Sequence, residues 1–369
     1  MKNGIPFSKI VADLPSKAPF IGPESLEREM GSTFYLRLGA NESNFGISSK
    51  AFEAIQKGIQ EASWYGDPEN YELRCSLAEI NGISPEEICV AGGIDDLLGL
   101  VVRMVISPGT PVVTSLGAYP TFNYHVWGFA GELSLVPYLE DRENPKQLLA
   151  TALEKKAPLI FFSNPDNPMG TWHDVKDLQE FMDLIPFGKL LVLDEAYYEF
   201  SPKGSIPPID TKNERVIRMR TFSKAHGMAG LRIGYAIANK KIIDGLNKIR
   251  LHFGVSRIAQ IGALASLKDE QHIEDVVNQV NKGKKEYYEL AEQLNLNYIV
   301  SGANFVSFDL KTRDKAKKVL KALEMERIFV RMSSAPVLER CIRVTVGNER
   351  ERKIFSDVFT KVILIGKDS

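Results

Sequence analysis

Hydrophobic positions along much of this chain alternate between helical and extended spacing. From Asp95, the segment DDLLGLVVRMV places Leu97, Leu98, Val101, Met104 and Val105 at helical intervals, and Pro108-Gly109 supplies a stop. A strand-like run, PVVTS, begins at Pro111. APLIFFSN (157–164), KLLVLDEAYYEF (189–200), ERVIRMRTFSK (214–224) and LRIGYAIAN (231–239) follow, each apolar and rich in β-branched or aromatic residues, with helix-compatible stretches between them. Strands that are apolar on both faces and alternate with helices predict an α/β unit: a mostly parallel sheet covered on both sides.

The pattern changes beyond roughly residue 265. Long, charged, helix-compatible segments such as DVVNQVNKGKKEYYELAEQL give way to short runs, NFVSFDL, IFVRMSS and CIRVTVG, which predict a smaller α+β unit. The first 35 residues contain Pro15, Pro19 and Pro23 with little periodicity and read as an arm lying on something else. The expected organisation is therefore an arm over 1–35 packed with the small domain, a large domain over 36–265 and a small domain over 266–369. At 369 residues the chain exceeds what one growing core accommodates, which agrees with two domains.

Composition narrows the partners. With 46 basic against 47 acidic residues and no long run of one sign, nothing favours nucleic acid or an anionic membrane, so small molecules are the expected partners. No apolar leader opens the sequence and no stretch of 18 or more apolar residues occurs, so the cytoplasm is the expected location. Cys75, Cys89 and Cys341 are too few and too scattered for a disulfide framework, and the five histidines lack metal-ligand spacing, so no metal is expected.

Open parallel sheets bind ligands at the C-terminal ends of their strands, and polar residues stand at several predicted ends. Lys224 follows the strand VIRMR, with Ser223 before it and Arg232 beyond it. A desolvated lysine suits imine formation with an aldehyde cofactor, and the hydroxyl and guanidinium match a phosphate. Taken alone, that segment is better explained by a surface lysine in a loop. Asp194 ends a strand that should be buried, where a carboxylate needs a cationic partner such as a pyridinium nitrogen; Tyr197 would point the same way. An Asp capping the next turn would account for Asp194 equally. After LIFF, the run Ser163 to Gly170 holds two prolines in a rigid turn, with Asn167 the residue whose amide could serve a ligand and Asp166 stabilising the turn. Ala91-Gly92-Gly93-Ile94-Asp95-Asp96 opens a helix whose N–H groups could meet a phosphate, although it is no nucleotide-binding motif.

Read in order, LGANESNFG (38–46), WYGDPENYELR (64–74), AGGIDD, AYPTF (118–122), NPDNPMG, LDEAYYEF, TFSKAHGMAGLRIGY and IRVTVG (342–347) resemble the class I and II, fold type I aminotransferases that use pyridoxal 5′-phosphate (PLP), and among them the histidinol-phosphate aminotransferase-like group. The resemblance spans nearly the whole chain. It implies the aspartate aminotransferase fold and PLP as cofactor, with Lys224 holding PLP as a Schiff base and moving the substrate proton. It also implies that Asp194 pairs with the pyridine nitrogen, that Tyr197 and Asn167 hold the ring oxygen, and that Phe122 stacks on the ring. Ile94, Asp95, Ser223 and Arg232 would surround the phosphate, joined by Tyr65 from the partner subunit, so a homodimer is implied. On the substrate side it implies Arg343 for the α-carboxylate, Arg331 for a distal anion, and Phe20 and Ala40 nearby.

The implied reaction is amino transfer between an amino acid and a 2-oxo acid or related carbonyl compound. A decarboxylase of the threonine-phosphate type or a PLP oxidase would share fold and lysine. Three motifs depart from the group: Phe20 stands where a tyrosine donates to the substrate phosphate, NENP is Asn41-Glu42-Ser43-Asn44, and NPNNPTG is NPDNPMG. The departures predict a substrate other than histidinol phosphate.

Overall fold

A computed structural model describes residues 5–14 and 21–365. Its centre is a seven-stranded sheet in the spatial order Ile88–Ala91, Gly234–Ala238, Val216–Thr221, Leu190–Asp194, Leu159–Ser163, Pro111–Ser115 and Glu132–Val136. Six strands run one way and Gly234–Ala238 runs against both its neighbours. That exception to a uniformly parallel pattern has a local cause. Between Thr221 and Gly234 the chain forms loops and one short 3-10 turn, Ala229–Leu231, and without a crossover helix the next strand returns antiparallel.

The apolar runs are covered on both faces because successive strand residues point opposite ways. Phe161, Val192, Ile217 and Met219 pack with Leu97, Leu98 and Val101 of the helix Ile94–Val105. Ile160, Phe162, Leu191 and Leu193 pack on the other face with Leu148, Leu178 and Phe181. Each such aromatic or aliphatic side chain contributes roughly 1.5–3 kcal/mol of burial. KLLVLDEAYYEF is extended only to Asp194; Tyr198–Phe200 is a 3-10 turn. Ile88–Ala91 and Glu132–Val136 are edge strands, short or mixed in polarity, which the apolar pattern does not single out.

A second, antiparallel sheet takes its strands from Arg331–Met332, Cys341–Thr345, Phe305–Asp309 and Asn297–Ile299, in that spatial order. The helices Glu270–Gln293 and Glu349–Ile365 cover it, Tyr287, Phe355 and Phe359 packing on Phe308 of the sheet. Leu36–Arg37 pairs in parallel with Ile328–Phe329, and Arg327 donates to the carbonyl of Thr33 at 2.7 Å. The segment after the helix Pro23–Met30 is thereby tied, through a separate two-stranded sheet, to the chain just before Arg331–Met332. Phe20 lies outside the described residues.

Candidate active site

A cavity of about 800 Å³ opens where the C-terminal ends of the central strands meet the second sheet. The strand ends carry the chemistry. Val216–Thr221 delivers Ser223 and Lys224, Leu190–Asp194 delivers Asp194 and Tyr197, and Leu159–Ser163 delivers Asn167.

Lys224 Nζ donates to the carbonyl of Asn41 at 2.9 Å and lies 5.5 Å from the centre of the Tyr197 ring. Burial, reinforced by the Arg343 charge, lowers its ammonium to about 8, so a substantial neutral fraction exists near neutrality. Asp194 is buried at the adjoining strand end, with one carboxylate oxygen accepting from the Ala196 N–H at 2.9 Å. Desolvation raises its carboxyl to about 7. No lysine or arginine forms an ion pair with Asp194 among the described residues, so the buried acid faces the cavity ready for a cationic ring nitrogen. Tyr197 is also buried; its hydroxyl accepts from Asn41 Nδ2 at 2.9 Å and from Asn167 Nδ2 at 3.4 Å. Burial pushes that phenol up to about 12, which keeps it a neutral hydrogen-bonding group.

An anion cradle lies at the other end. The helix Ile94–Val105 points its N-terminus into the cavity, and its first N–H groups have no intrahelical acceptor. Arg232 reaches across to Asp95 at 3.5 Å and to Ser223 Oγ at 3.5 Å, and the Tyr119 hydroxyl donates to Asp95 at 2.9 Å. Gly93 makes the cradle possible. Its φ of +98° and ψ of 175° suit only glycine, and a Cβ there would lie 2.7 Å from Arg232 Nη2.

Two arginines line the opposite wall. Arg343 and Arg331 face each other in register across adjacent antiparallel strands. Arg343 donates through Nη1 to Asn167 Oδ1 and through Nη2 to the Gly39 carbonyl at 3.1 Å, while its buried Nε has no acceptor. Both of its acceptors are neutral, so its charge is not compensated by a carboxylate hydrogen bond. Arg331 donates to the Ile21 carbonyl at 2.7 Å; burial and the neighbouring Arg343 charge lower it to about 10.

Thus Lys224, Asp194, Tyr197, Asn167, Ile94, Asp95, Ser223, Arg232, Arg343, Arg331 and Ala40 share one cavity. Two candidates lie elsewhere. Phe122 is fully buried, stacked on Phe161 at 4.7 Å, and does not reach the cavity; Tyr119 lines it instead. The helix Pro120–Gly128 explains the difference: Phe122 falls on its sheet-facing side, whereas Tyr119 precedes the helix with non-helical backbone (φ −47°, ψ 114°) and is aimed at Asp95. The position before a proline, biased to extended backbone, is a signal that could have found it. Tyr65 is 74% exposed and stacked on Phe253 at 4.4 Å, outside the cavity of its own chain. Asn41 bridges Lys224 and Tyr197 from a left-handed backbone (φ 54°), a conformation asparagine tolerates well; the sequence names it only within the Asn41-Glu42-Ser43-Asn44 motif and gives it no role.

The residues present fit PLP: a glycine-dependent anion cradle, an unpaired buried acid and a depressed lysine lie around one cavity. The fold and site define a fold type I, PLP-dependent aminotransferase. Comparison with known proteins agrees. Residues 34–359 match the family model for aminotransferase class I and II, and the chain belongs to that family. Among its relatives, histidinol-phosphate aminotransferase 2 of Carboxydothermus hydrogenoformans is 32% identical over 97% of this chain and 99% of its own. A crystal structure of histidinol-phosphate aminotransferase from Sinorhizobium meliloti in complex with PLP superposes with a TM-score of 0.95 at 40% identity, covering 99% of both chains. The aspartate aminotransferase of Thermus thermophilus with maleate, at 20% identity and a TM-score of 0.81 over 96% of this chain and 99% of its own, shares the fold. Among the described residues there is no cluster arranged to hold a metal and no helix long and apolar enough to cross a membrane.

Proposed function

We propose that this aminotransferase takes substrates with anionic groups at both ends, exchanging an amino group between a glutamate-like dicarboxylate and an amine that carries a phosphate or a second carboxylate. The observation that carries the reading is the pair Arg343 and Arg331, in register on neighbouring strands and both lining the cavity. Arginine's planar fork suits carboxylate and phosphate alike. Histidinol phosphate, the substrate in the relatives' names, carries a phosphate and no carboxylate, so it offers one anionic group where glutamate offers two, in keeping with the prediction of another substrate.

When bound, PLP supplies an aldehyde that takes up amines and an electron sink. The protein's own groups do the rest. Arg343 fixes the substrate carboxylate and so aims its Cα–H bond at Lys224. The Lys224 amine, neutral in part because burial lowers it to about 8, takes the Cα proton and returns it on the other side of the transfer. Asp194 holds a proton on the ring nitrogen; facing that cation, its carboxyl returns toward the ionised form that burial alone resists. Tyr197, held by Asn41 and Asn167, orients the ring oxygen. Ser223, Arg232 and the first N–H groups of Ile94–Val105 hold the phosphate, and Tyr119 takes the ring-facing position.

The working protein is read as a cytoplasmic homodimer with small molecules as its only other partners. Exposed Tyr65 and Phe253 stack together, with exposed Trp64 next to Tyr65 in the chain, as an aromatic surface for the second copy, from which Tyr65 would reach the neighbouring phosphate. The division into a large domain over 36–265, a small domain over 266–369 and an arm over 1–35 remains part of this reading; the pairing of Leu36–Arg37 with Ile328–Phe329 puts the start of the large-domain range against the small one.

Rapid mixing of the PLP-loaded enzyme with glutamate, histidinol phosphate or phenylalanine tests the reading. Glutamate should convert the cofactor to its amine form without CO2 release or O2 uptake, at least about tenfold more efficiently than phenylalanine or histidinol phosphate, each of which carries one anionic group, a difference of one charged contact. Equal efficiency with phenylalanine would overturn it.

A further inference from the structure

The loop between the two substrate arginines separates two voids. Residues 333–340 join the strand Arg331–Met332 to the strand Cys341–Thr345, so Arg331 stands before the loop and Arg343 after it. Met332, Ser333, Ser334 and Ala335 line the active-site cavity, whereas Pro336, Val337, Leu338 and Arg340 line a second cavity of about 640 Å³, and Leu116 borders both. A single pass of chain therefore divides the substrate space from an adjoining void. It seats closely on the loop after Pro111–Ser115: a Cβ at Gly117 would lie 2.7 Å from Ala335 Cβ and 2.8 Å from Leu338 Cδ1.

Arg340 holds this partition in place. Its Nη2 donates to both carboxylate oxygens of Asp141 at 2.7 and 2.8 Å, its Nε to Asp309 Oδ2 at 3.0 Å, and its Nη1 to the Val337 carbonyl at 2.7 Å. Asp309 ends the strand Phe305–Asp309 of the second sheet. Asp141 belongs to the other side: it follows the edge strand Glu132–Val136 of the central sheet, and its carbonyl accepts from the Thr171 hydroxyl at 3.1 Å. All three side chains are mostly buried, so salt screens these contacts less than it screens a surface pair. Val337 needs such a hold. Its φ of 70° and ψ of −46° are costly for a β-branched residue, and strained backbone persists only where its surroundings fix it.

We propose that Arg340 and Asp141 form a clamp that positions the loop between Arg331 and Arg343 and thereby sets the length of substrate that the two arginines hold at once. The proposal rests on the arginine reading above. With the clamp closed, Ser333, Ser334 and Ala335 form a fixed wall of the cavity between the two guanidiniums' strands. With it broken, Val337 is free to leave its strained conformation, the second cavity gives the loop room to move, and the wall yields. Arg340 and Asp141 lie outside the active-site cavity, so they are positioning residues that act through the loop.

The test compares KM and kcat of the PLP-loaded enzyme for aspartate, glutamate, 2-aminoadipate and 2-aminopimelate, which differ only in the distance between their carboxylates, and follows hydrogen exchange of the peptide covering 333–340. The wild type should discriminate among these lengths in kcat/KM. Arg340→Met and Asp141→Gly, the latter suited to the left-handed backbone at 141 (φ 63°), should each narrow the spread between best and worst length roughly threefold, through KM more than kcat, and should speed exchange in the loop by a similar factor. The double variant should narrow the spread no further than Arg340→Met alone, because the two residues act as one contact. A wild-type spread retained in both single variants would overturn the proposal, as would a wild type indifferent to length or effects that add in the double variant. If Arg340→Met, which also loses the Asp309 and Val337 contacts, does not fold, Asp141→Gly decides alone. Failure of the arginine reading looks different: the wild type would then use glutamate no better than phenylalanine, whereas failure of the clamp alone leaves that preference intact, with length spread and loop exchange unchanged in the variants.

Discussion

Gly93→Ala tests the anion cradle without touching a charged or reactive group. The native backbone at φ +98° and ψ 175° lies in a region reserved for glycine, so any side chain there costs about 1–3 kcal/mol of backbone strain. The added methyl would also stand 2.7 Å from Arg232 Nη2, closer than real contacts allow, and a tight 3.2 Å from its Cζ. The flexible guanidinium must shift away from the methyl, which is expected to draw Arg232 off the phosphate position. One charge-assisted hydrogen bond to the phosphate is worth about 1.5–3 kcal/mol, so PLP affinity should fall roughly tenfold to 150-fold. Titration of the cofactor-free protein with PLP, followed by quenching of tryptophan fluorescence, reads this directly. Gly82→Ala is the control: its φ is also positive, +65°, but a Cβ there meets nothing within 4 Å, so stability should fall slightly and PLP affinity should hold. PLP binding of wild-type strength in Gly93→Ala would refute the cradle.

Three further outcomes are expected. Glu195 is fully buried and accepts from Arg218 at 2.5 and 3.0 Å and from Arg220 at 2.8 Å, so Glu195→Gln leaves two buried guanidiniums without their counter-ion and should cost about 3–5 kcal/mol in urea unfolding. Because burial lowers Lys224 from 10.5 to about 8 in the cofactor-free protein, the unfolded chain binds the extra proton between those values. Stability of the cofactor-free protein should therefore gain a rising contribution as pH climbs from about 8, one that Lys224→Met lacks, and the rate of PLP uptake should rise through the same pH. Tyr119→Phe, which removes the hydroxyl donated to Asp95 while keeping the ring, should weaken PLP binding by less than about tenfold, whereas Tyr119→Ala should weaken it more, since the ring contact is lost as well.

How far the site could be read from the sequence depended on whether a residue's place follows from its own strand. Lys224, Asp194 and Asn167 stand just past apolar runs, and a strand end in a parallel sheet is a position that periodicity can locate. Arg331 and Arg343 differ: their apposition exists only through cross-strand register in the second sheet, which the motifs supply by resemblance and spacing does not. Phe122 illustrates the opposite failure. Its motif is present, but the turn of the helix puts the ring against Phe161, and the cavity position passes to Tyr119. The single antiparallel strand, Gly234–Ala238, followed from a missing crossover helix rather than from the strand's own composition.

The central claim is that Lys224 is the amine that holds the cofactor and relays the substrate proton. Borohydride reduction of the PLP-loaded enzyme, followed by peptide mass spectrometry, tests it most directly. The pyridoxyl mass should appear on the peptide containing Lys224, and prior incubation with glutamate should abolish it as the cofactor leaves in its amine form. The same mass on another lysine, or on none, would contradict the account.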